Sequence, residues 1–299
     1  MNSIKLIFGC GYLGGRVADR WLAAGDRVVV VTRAKERAAE FRKRGLQPMV
    51  ADVTRPETLG QLPAVETVLY AVGFDRRRAK SRWQVHVDGL GAVLDALPAE
   101  TCRVIFISST GVYGQSGGEW IDEQSPCQPT REAGRAFLAA EQLLTHHRLG
   151  PRAIILRLAG IYGPGRLLHV ADILAGRPIP VQTDSCLNLI HVDDAAAVVL
   201  AAETRARPPR TYVVSDGHPA QRRECHRYLA ELLGVGPPRL IDPTPNFLAS
   251  HHSGNNKRVN NARMLAELNV RLLYPTYKEG VPTAVEASGG ERRGDGVTR

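Results

Sequence analysis

The sequence contains no apolar run long enough to cross a membrane. No stretch of the 299 residues approaches the ~18 consecutive apolar residues of a membrane-spanning helix. The N-terminal MNSIKLIFGCGYLGG reaches glycines too early for the apolar segment of a secretory signal. We therefore expect a cytoplasmic protein with no membrane partner.

The sequence also lacks the spacings that form disulfides or hold metal ions. Its five cysteines, Cys10, Cys102, Cys127, Cys186 and Cys225, are odd in number, widely spaced and never arranged as CxxC. The nine histidines form no HExxH or similar ligand spacing. We expect free thiols, no disulfide framework and no bound metal.

Aromatic residues are few, at 6% of the chain, although the formal net charge is +9. So few rings argue against a base-stacking platform, and the cations are not gathered in one tail, so we expect no nucleic-acid partner. Two cationic clusters occur, RAKERAAEFRKR (33–44) and RRRAKSR (76–82). Each is either solvent-exposed or part of an anion site, and an anionic small-molecule ligand would use both.

The first half of the chain alternates short apolar, β-branched runs with segments of helical periodicity. The predicted strands are 4–9, 27–33, 47–52, 67–72, 103–109 and 153–160. The predicted helices between them are 12–24, 34–44, 82–97 and 131–148. Continuous apolar strands separated by helices predict an α/β fold, a Rossmann-type doubly wound parallel sheet with helices on both faces.

After residue 160, turn-rich segments such as GPGR and AGRPIPV interrupt this alternation. We predict that 1–160 is an NAD(P)-binding domain whose sheet is completed by about 187–216. A smaller C-terminal α/β substrate lobe is then expected over 161–186 and 217–285, with helices at 219–233 and 260–268. The glycine-rich and charged segment 286–299 predicts a disordered tail.

The first predicted strand leads directly into a glycine motif. Gly9, Gly11 and Gly14 form GxGxxG between a strand and a helix. The first glycine permits a tight turn, the second permits close approach of a pyrophosphate, and the third permits the helix to pack on the strand. We therefore predict dinucleotide binding by this loop, including its intervening residues Cys10, Tyr12 and Leu13.

The end of the second predicted strand bears on which dinucleotide binds. An acidic residue here would accept the 2′-hydroxyl of NAD. The chain instead has Thr32 followed by Arg33, with Lys35 and Arg37 close behind. These cations suit a 2′-phosphate, so NADP is favoured over NAD, although an arginine at this point can also be a surface residue.

The ends of the third and fourth predicted strands are expected to complete the cofactor site. Asp52 is placed to accept a hydrogen bond from an adenine amino group, or it forms an Asx turn that caps the next helix. Val53 follows it, and Ala71 and Val72 end the fourth strand.

Several segments, in the same order, resemble a known superfamily. VIFISSTGVYG (104–114), WQVHVDGLGAVLDAL (83–97), ILRLAGIYGPG (155–165) and NLIHVDDAAAVVLAA (188–202) resemble the extended short-chain dehydrogenase/reductases, in their NAD-dependent epimerase/dehydratase group. Two later segments, YVVSDGHPAQRRECHRYLAELLG (212–234) and NNKRVNNARMLAELNVRLLYPTYKEG (255–280), resemble the C-terminal lobe of that group. The resemblance therefore covers nearly all of the chain except its tail. It implies a dinucleotide-binding fold and hydride-transfer chemistry.

The resemblance also implies a Ser or Thr, a Tyr and a Lys that act together in proton transfer. The serine corresponds to Ser109, which would polarise the substrate oxygen. The Tyr and Lys correspond to Ala133 and Phe137, and residues 115–161 contain neither Tyr nor Lys. In this respect the chain resembles the atypical YeeZ-type branch, which lacks the Tyr-Lys pair.

Other residues are candidates for the missing chemistry. Tyr113 could present its phenol to the site or could pack in the loop, and His86 could relay a proton or could be an ordinary helix histidine. Arg131 and Arg135, one turn apart, could clamp a phosphate or carboxylate together with Arg77, or could be solvent-exposed.

We expect an NAD(P)-dependent oxidoreductase or epimerase that acts on a nucleotide-sugar-like or other anionic small molecule with a non-standard acid or base. The alternative is a non-catalytic NAD(P)-binding sensor or regulatory protein. Because many members of the superfamily pair through helices that include the one at 131–148, a homodimer is a further expectation from the resemblance.

Overall fold

The computed structural model describes residues 3–75, 81–244 and 256–294. The strands are β1 Ile4–Phe8, β2 Arg27–Thr32, β3 Gln47–Val50, β4 Thr67–Tyr70, β5 Arg103–Ser109, β6 Glu119–Ile121, β7 Ala153–Leu158, β8 Gly160–Tyr162, β9 Ile179–Pro180, β10 Cys186–Leu187, β11 Leu189–His191, β12 Arg210–Val214, β13 Ala220–Gln221, β14 Leu240–Ile241 and β15 Lys257–Val259. The helices are α1 Gly14–Ala23, α2 Lys35–Lys43, α3 Gly89–Ala96, α4 Glu132–His146, α5 Val170–Leu174, α6 Val192–Arg205, α7 Arg222–Leu232, α8 Ala262–Leu268 and α9 Tyr277–Gly294.

Seven strands form one parallel sheet in the order β12-β7-β5-β4-β1-β2-β3. The chain runs outward from β1 in one direction through β2 and β3, and then from β4 in the other direction. The predicted doubly wound Rossmann-type fold is thus confirmed. In such sheets, ligands bind at the carboxyl ends of the strands where the direction of winding reverses, here between β1 and β4.

Alternate residues of the strands are buried against helices on opposite faces of the sheet. Ile7 and Val30 belong to the apolar core that contains Trp21 of α1. Leu6 and Val31 belong to the core on the other face, which includes Leu94 of α3. Since burial of one such side chain stabilises the fold by about 1.5–3 kcal/mol, this two-sided burial explains why the strands are continuously apolar in sequence.

The predicted helix at 82–97 consists of two parts. Residues Gln84–Asp88 form a π-helical turn, which continues into α3. The Tyr70 phenol donates a hydrogen bond to the Val85 carbonyl at 2.9 Å, so a carbonyl within this turn also bonds to the sheet. A side chain that inserts into the hydrogen-bond pattern in this way is a recognised cause of local widening of a helix.

Two predicted boundaries in the second half differ from the structure. Within 187–216 only β12 joins the central sheet, because β11 pairs with β8 in a separate two-stranded sheet. Residues 286–294, predicted to be disordered, are helical as the last part of α9, while 295–299 lie outside the described residues. Tyr277 and Val281 of α9 are buried in the lobe core, and a helix anchored in this way propagates more readily than an isolated one.

None of the helices within the described ranges has the length and apolar character needed to span a membrane. Within the same ranges no cluster of three or more His, Cys, Asp or Glu residues has metal-binding geometry.

Candidate active site

A cleft of about 740 Å³ lies at the carboxyl ends of the central strands. On the sheet side it is lined by the loop after β1 and by the ends of β2, β4 and β5. On the lobe side it is lined by residues that follow β8 and by residues of β10, α7 and β15. The cleft therefore occupies the ligand position that the sheet topology defines.

The three motif glycines meet different physical demands. Gly9 has φ +91°, and a Cβ there would lie 2.3 Å from the Ala71 carbonyl oxygen. A Cβ on Gly14 would lie 2.3 Å from the carbonyl oxygen of Gly9, so this glycine permits α1 to begin against the loop. A Cβ on Gly11 would meet nothing within 4 Å, so its place faces open space in the cleft. The loop thus has the form expected of a pyrophosphate cradle.

The other loop residues also line the cleft. The Tyr12 phenol donates to the Pro164 carbonyl oxygen at 3.0 Å, which ties the glycine loop to the segment after β8. Cys10 is buried, which raises the pKa of its thiol to about 11 and keeps it neutral. Leu13 is buried just before α1. The predicted cofactor loop is therefore fixed on both sides by contacts with its neighbours.

The ribose end of the predicted site contains Thr32, Arg33 and Arg37, which all line the cleft. Arg37 donates from Nη2 to the Cys10 carbonyl oxygen at 3.0 Å and thereby braces the glycine loop. Arg33 is exposed at the cleft edge, where a 2′-phosphate would be reachable. The hydroxyl of the buried Thr32 accepts a weak hydrogen bond from the amide of Ala34.

Asp52 forms the Asx turn that was one of its two predicted roles. Its Oδ1 accepts hydrogen bonds from the Thr54 amide at 2.9 Å and the Thr54 hydroxyl at 2.8 Å. Asp52 also lines the cleft, together with Val53, Ala71 and Val72, so contact with an adenine amino group stays a prediction.

Ser109 lies at the end of β5 and lines the cleft. Its Oγ accepts a hydrogen bond from the Gly111 amide at 3.0 Å and caps the 3-10 turn Thr110–Val112. A hydroxyl that accepts one hydrogen bond still has its own proton to donate. Polarisation of a substrate oxygen by Ser109 is compatible with this geometry and stays a prediction.

Tyr113 packs in the loop after β5, one of the two roles considered for it. It is 1% exposed, and its phenol oxygen accepts a hydrogen bond from Nη1 of Arg157 at 2.7 Å. Arg157 is paired in turn with buried Glu141, with Nη2 to Oε2 at 2.6 Å. Burial raises the pKa of Tyr113, and this outweighs the opposite effect of the Arg157 cation. The phenol therefore stays protonated at neutral pH.

His86 is enclosed behind the cleft. It is 2% exposed, is not among the residues that line the cleft, and stacks on Phe137 with ring centroids 4.4 Å apart. Burial, assisted by the charge of Arg82, lowers the pKa of His86 to about 4. The hypothesis that His86 relays a proton in the cleft is not supported by this position, because a neutral ring shielded by Phe137 has no path to a substrate.

The positions that correspond to the absent Tyr and Lys lie on α4 and line the cleft. They present the methyl group of Ala133 and the ring of Phe137. Helix α4 approaches the loop after β5 closely, since a Cβ on Gly134 would lie 2.2 Å from the Gly111 carbonyl oxygen. The small residues of this helix thus permit its packing, and its face toward the cleft offers no group that transfers a proton.

The three arginines predicted to bind substrate are placed differently. Arg131 precedes α4 and lines the cleft, where burial lowers the pKa of its guanidinium. Arg135 is exposed outside the cleft lining and donates to the Thr130 carbonyl oxygen at 2.8 Å. Arg77 lies outside the described residues. Arg135 thus has the solvent-exposed position that was one of its two predicted roles, and binding of a phosphate or carboxylate by these arginines stays a prediction.

Two further cations that line the cleft were not predicted from the sequence. Arg222 is buried at the start of α7 and donates from Nε to the Ser185 hydroxyl at 2.9 Å. Lys257, in β15, is 3% exposed and donates from Nζ to the Tyr113 carbonyl oxygen at 2.8 Å. We call Arg131, Arg222 and Lys257 the cationic cluster.

Arg131 acts electrostatically on the other two members of the cationic cluster. Burial lowers the pKa of Arg222, and the charge of Arg131 lowers it further. The same two causes, in the same order, lower the pKa of Lys257 to about 8. The cluster therefore concentrates positive charge in a poorly solvated part of the cleft, and an anionic ligand there would relieve the mutual repulsion.

Fold, sheet topology and glycine cradle together define a Rossmann-type dinucleotide-binding protein. The chain belongs to the NAD dependent epimerase/dehydratase family, whose model matches residues 6–215. It is similar to the protein YeeZ of Escherichia coli, with 28% identity over 275 residues that span 90% of this chain and 95% of YeeZ.

Two solved structures show the same fold. A protein of Methylobacillus flagellatus, provisionally described as an NAD-dependent epimerase/dehydratase, is 35% identical with a TM-score of 0.78, over 96% of this chain and 99% of that one. WbmG of Bordetella bronchiseptica, solved in complex with NAD and UDP, is 18% identical with a TM-score of 0.81, over 97% of this chain and 96% of that one. Family membership supports an NAD(P)-binding, epimerase-like function for this chain.

Proposed function

We propose that this protein is an NAD(P)-dependent oxidoreductase or epimerase that acts on a nucleotide-sugar-like or other anionic small molecule. The observation that carries the proposal is that one cleft contains both the glycine cradle and the cationic cluster. A cofactor bound by the glycine loop and a substrate anion bound by the cationic cluster would lie in the same cleft. Hydride transfer requires the two to be close together.

The cofactor side of the proposal depends on the fit of the glycine loop. Gly11 leaves space for the pyrophosphate, and the start of α1 provides a positive helix end. Arg33 at the cleft edge favours NADP, since it could pair with a 2′-phosphate. When bound, a nicotinamide cofactor supplies or accepts a hydride.

The substrate side depends on the cationic cluster. Keeping buried cations close together is costly, and a phosphate or diphosphate would offset this cost through charge-assisted hydrogen bonds. Binding of UDP in WbmG, which has the same fold, is in keeping with an anionic substrate of the nucleotide-sugar kind.

A second candidate function is that of a non-catalytic NAD(P)-binding sensor. This function is favoured by the absence of the usual proton-transfer pair, because Ala133 and Phe137 occupy the positions where the family resemblance implies Tyr and Lys. Both candidate functions require the cofactor to bind, and only the first requires turnover.

Binding measurements test the proposal in two stages. Fluorescence titration with NADPH and NADH should show saturable binding, and the absence of binding by either would exclude both candidate functions. Calorimetric titration of the cofactor complex with UDP and with inorganic pyrophosphate should then show binding that Arg222→Met weakens by about tenfold or more.

Arg135→Met is the matched control for this second stage, because Arg135 is an arginine of the same region outside the cleft lining. Equal affinities of the Arg222→Met and Arg135→Met variants would contradict the anion site. A screen of sugar nucleotides and carbonyl compounds for cofactor oxidation or reduction would then separate an enzyme from a sensor.

A further inference from the structure

The ammonium group of Lys257 occupies an unusual environment for a lysine. It is buried, and it lines the cleft. Nζ is held by the Tyr113 carbonyl oxygen at 2.8 Å and lies 6.0 Å from the centre of the Tyr113 ring. Over residues 3–75, 81–244 and 256–294 no carboxylate lies within ion-pair distance of it. Lysines are almost never buried in this way without a pairing or chemical reason.

The backbone around Lys257 fixes its place. Strand β15 pairs in parallel with β6, so that Lys257 lies opposite Glu119, whose exposed side chain accepts a hydrogen bond from the Gly117 amide instead. The Asn188 side chain donates to the Lys257 carbonyl oxygen at 2.8 Å. Nζ is therefore presented to the cleft by a strand that is anchored on both sides.

Burial and two charged or titratable neighbours act on the ammonium. Arg131, before α4, disfavours the charged form, and so does burial, which is the larger effect. The thiol of Cys127 acts in the opposite direction, and its own pKa is raised by burial. Together these effects lower the pKa of Lys257 to about 8, where an amine can both give and take a proton near neutral pH.

Two more groups that line the cleft face the same region. Arg222, on α7, adds positive charge from the lobe, and Cys186, on β10, adds a thiol. The phenol of Tyr113 is turned away, because it accepts its hydrogen bond from Arg157.

The positions that normally carry proton transfer are unable to do so in this chain. Ala133 and Phe137 have no exchangeable side-chain proton. Tyr113 is held by Arg157, and His86 lies behind Phe137. A catalyst of this family therefore needs its proton from another wall of the cleft.

We propose that Lys257 is the acid/base catalytic residue of this site, and that it transfers the proton from the lobe side of the cleft. The proposal rests on the proposed function as a nicotinamide-dependent enzyme. In the reducing direction the substrate carbonyl carbon would receive a hydride from the reduced nicotinamide cofactor, which thereby becomes oxidised, and the carbonyl oxygen would receive a proton from Nζ. The C=O group becomes CH–OH, and the ammonium becomes a neutral amine. In the oxidising direction the CH–OH carbon would give its hydride to the oxidised cofactor, and the neutral amine would accept the hydroxyl proton.

Cofactor binding tests this proposal without a known substrate. A proton-transfer group must lie close to the nicotinamide ring, which carries a positive charge in the oxidised cofactor and none in the reduced one. An ammonium at Lys257 should therefore oppose binding of the oxidised form, and this opposition should disappear as Lys257 loses its proton.

The experiment measures Kd for NADP+ and NADPH, or for NAD+ and NADH, whichever pair binds more tightly, at about pH 7 and about pH 9. We expect the affinity for the oxidised relative to the reduced form to rise by about fivefold between these pH values. The 2′-phosphate, and any other group that affects both forms equally, changes both Kd values by the same factor when it titrates. The ratio of the two Kd values therefore does not depend on these groups.

Two variants assign the effect to Lys257. Lys257→Met should remove the pH dependence of the ratio, and Lys257→Arg should keep the ratio low at both pH values because its charge persists. Lys278→Met, which changes an exposed lysine of α9, should behave as the wild type.

A ratio that does not change with pH, in a protein that binds both forms tightly, would overturn the assignment of Lys257 and leave the proposed function intact. A pH-dependent ratio that persists in Lys257→Met and Lys257→Arg would also overturn it. Failure of every cofactor to bind would overturn the proposed function and this inference together.

Discussion

Arg157 donates a hydrogen bond to the phenol of Tyr113 at 2.7 Å while its other nitrogens engage Glu141. Ser108 donates to the same carboxylate at 2.5 Å, so four side chains form one buried network beneath the loop after β5. The backbone carbonyl of Tyr113 accepts a hydrogen bond from Lys257. Tyr113 thus links the interior of the sheet domain to the lobe side of the cleft.

Replacement of Tyr113 by Phe tests whether this residue has a structural role. The change leaves one nitrogen of buried Arg157 without its acceptor, so we expect the free energy of unfolding to fall by about 1–3 kcal/mol. Cofactor affinity should change by less than about twofold, because the phenol faces Arg157. Urea unfolding and NADPH titration would measure the two effects.

Tyr228→Phe is the control for this change, since the Tyr228 phenol donates to the Lys278 carbonyl oxygen and has no bond to Arg157. A large loss of cofactor binding in Tyr113→Phe, with stability unchanged, would show that the phenol acts in the cleft.

His86 gives a prediction about pH. Its pKa in the folded protein is lowered to about 4, below the ordinary value of 6.5. Between these values the unfolded chain takes up a proton that the folded protein does not, so stability is full above about pH 6.5 and falls as the pH decreases toward 4. The contribution of His86 to this fall is about 3 kcal/mol.

His86→Leu should therefore make the stability profile shallower over this pH range, as measured by urea unfolding at a series of pH values. Substitution of His146, which is exposed on α4, is the matched control. If His86→Leu and the wild type lose stability in parallel on acidification, the burial argument for His86 fails.

Substitution of Gly11, the middle glycine of the motif, should weaken cofactor binding without affecting folding. Because a Cβ at Gly11 meets nothing within 4 Å, Gly11→Val should fold with a melting temperature near that of the wild type. The new side chain would occupy the path of the pyrophosphate, so NADPH affinity should fall by at least about tenfold. Thermal unfolding and fluorescence titration measure the two quantities.

Gly9→Ala is the informative comparison, since its methyl group would collide with the Ala71 carbonyl and should lower the melting temperature. Retention of full NADPH affinity in Gly11→Val would show that the cofactor does not use this loop.

Arg33 tests the cofactor preference. Loss of a charge pair with a 2′-phosphate should weaken NADPH binding by about tenfold in Arg33→Ala and leave NADH binding nearly unchanged. Arg42 lies on α2, which follows Arg33, and is outside the cleft lining. Arg42→Ala should therefore change the affinity for neither cofactor. Equal weakening of both cofactors by Arg33→Ala would contradict contact with a 2′-phosphate.

The sequence allowed most of the sheet domain to be predicted, because its signals are local. Apolar runs marked β1, β2, β4, β5 and β7 at nearly their observed bounds, and the glycine spacing located the loop at Gly9–Gly14. Periodicity also located α4. It could not separate the π-helical turn at Gln84–Asp88 from α3, since that turn is tied to β4 by a hydrogen bond from Tyr70, which is distant in sequence.

The candidate site was predictable on its sheet side and missed on its lobe side. Ser109 lies within the recognisable segment 104–114, and Arg131 begins the predicted helix 131–148. Both residues line the cleft. Arg222 begins α7 and Lys257 begins the three-residue strand β15, and no local spacing around either residue indicates that its charged group is buried.

The sequence by itself determined the parallel sheet, the cofactor loop and the loss of the usual Tyr and Lys, because each depends on residue type at a local spacing. Only the tertiary structure decided that Tyr113 and His86 are enclosed and that Lys257 enters the cleft. The pairing of β15 with β6 joins segments more than a hundred residues apart, and the burial that changes the proton affinity of Lys257 arises from that pairing.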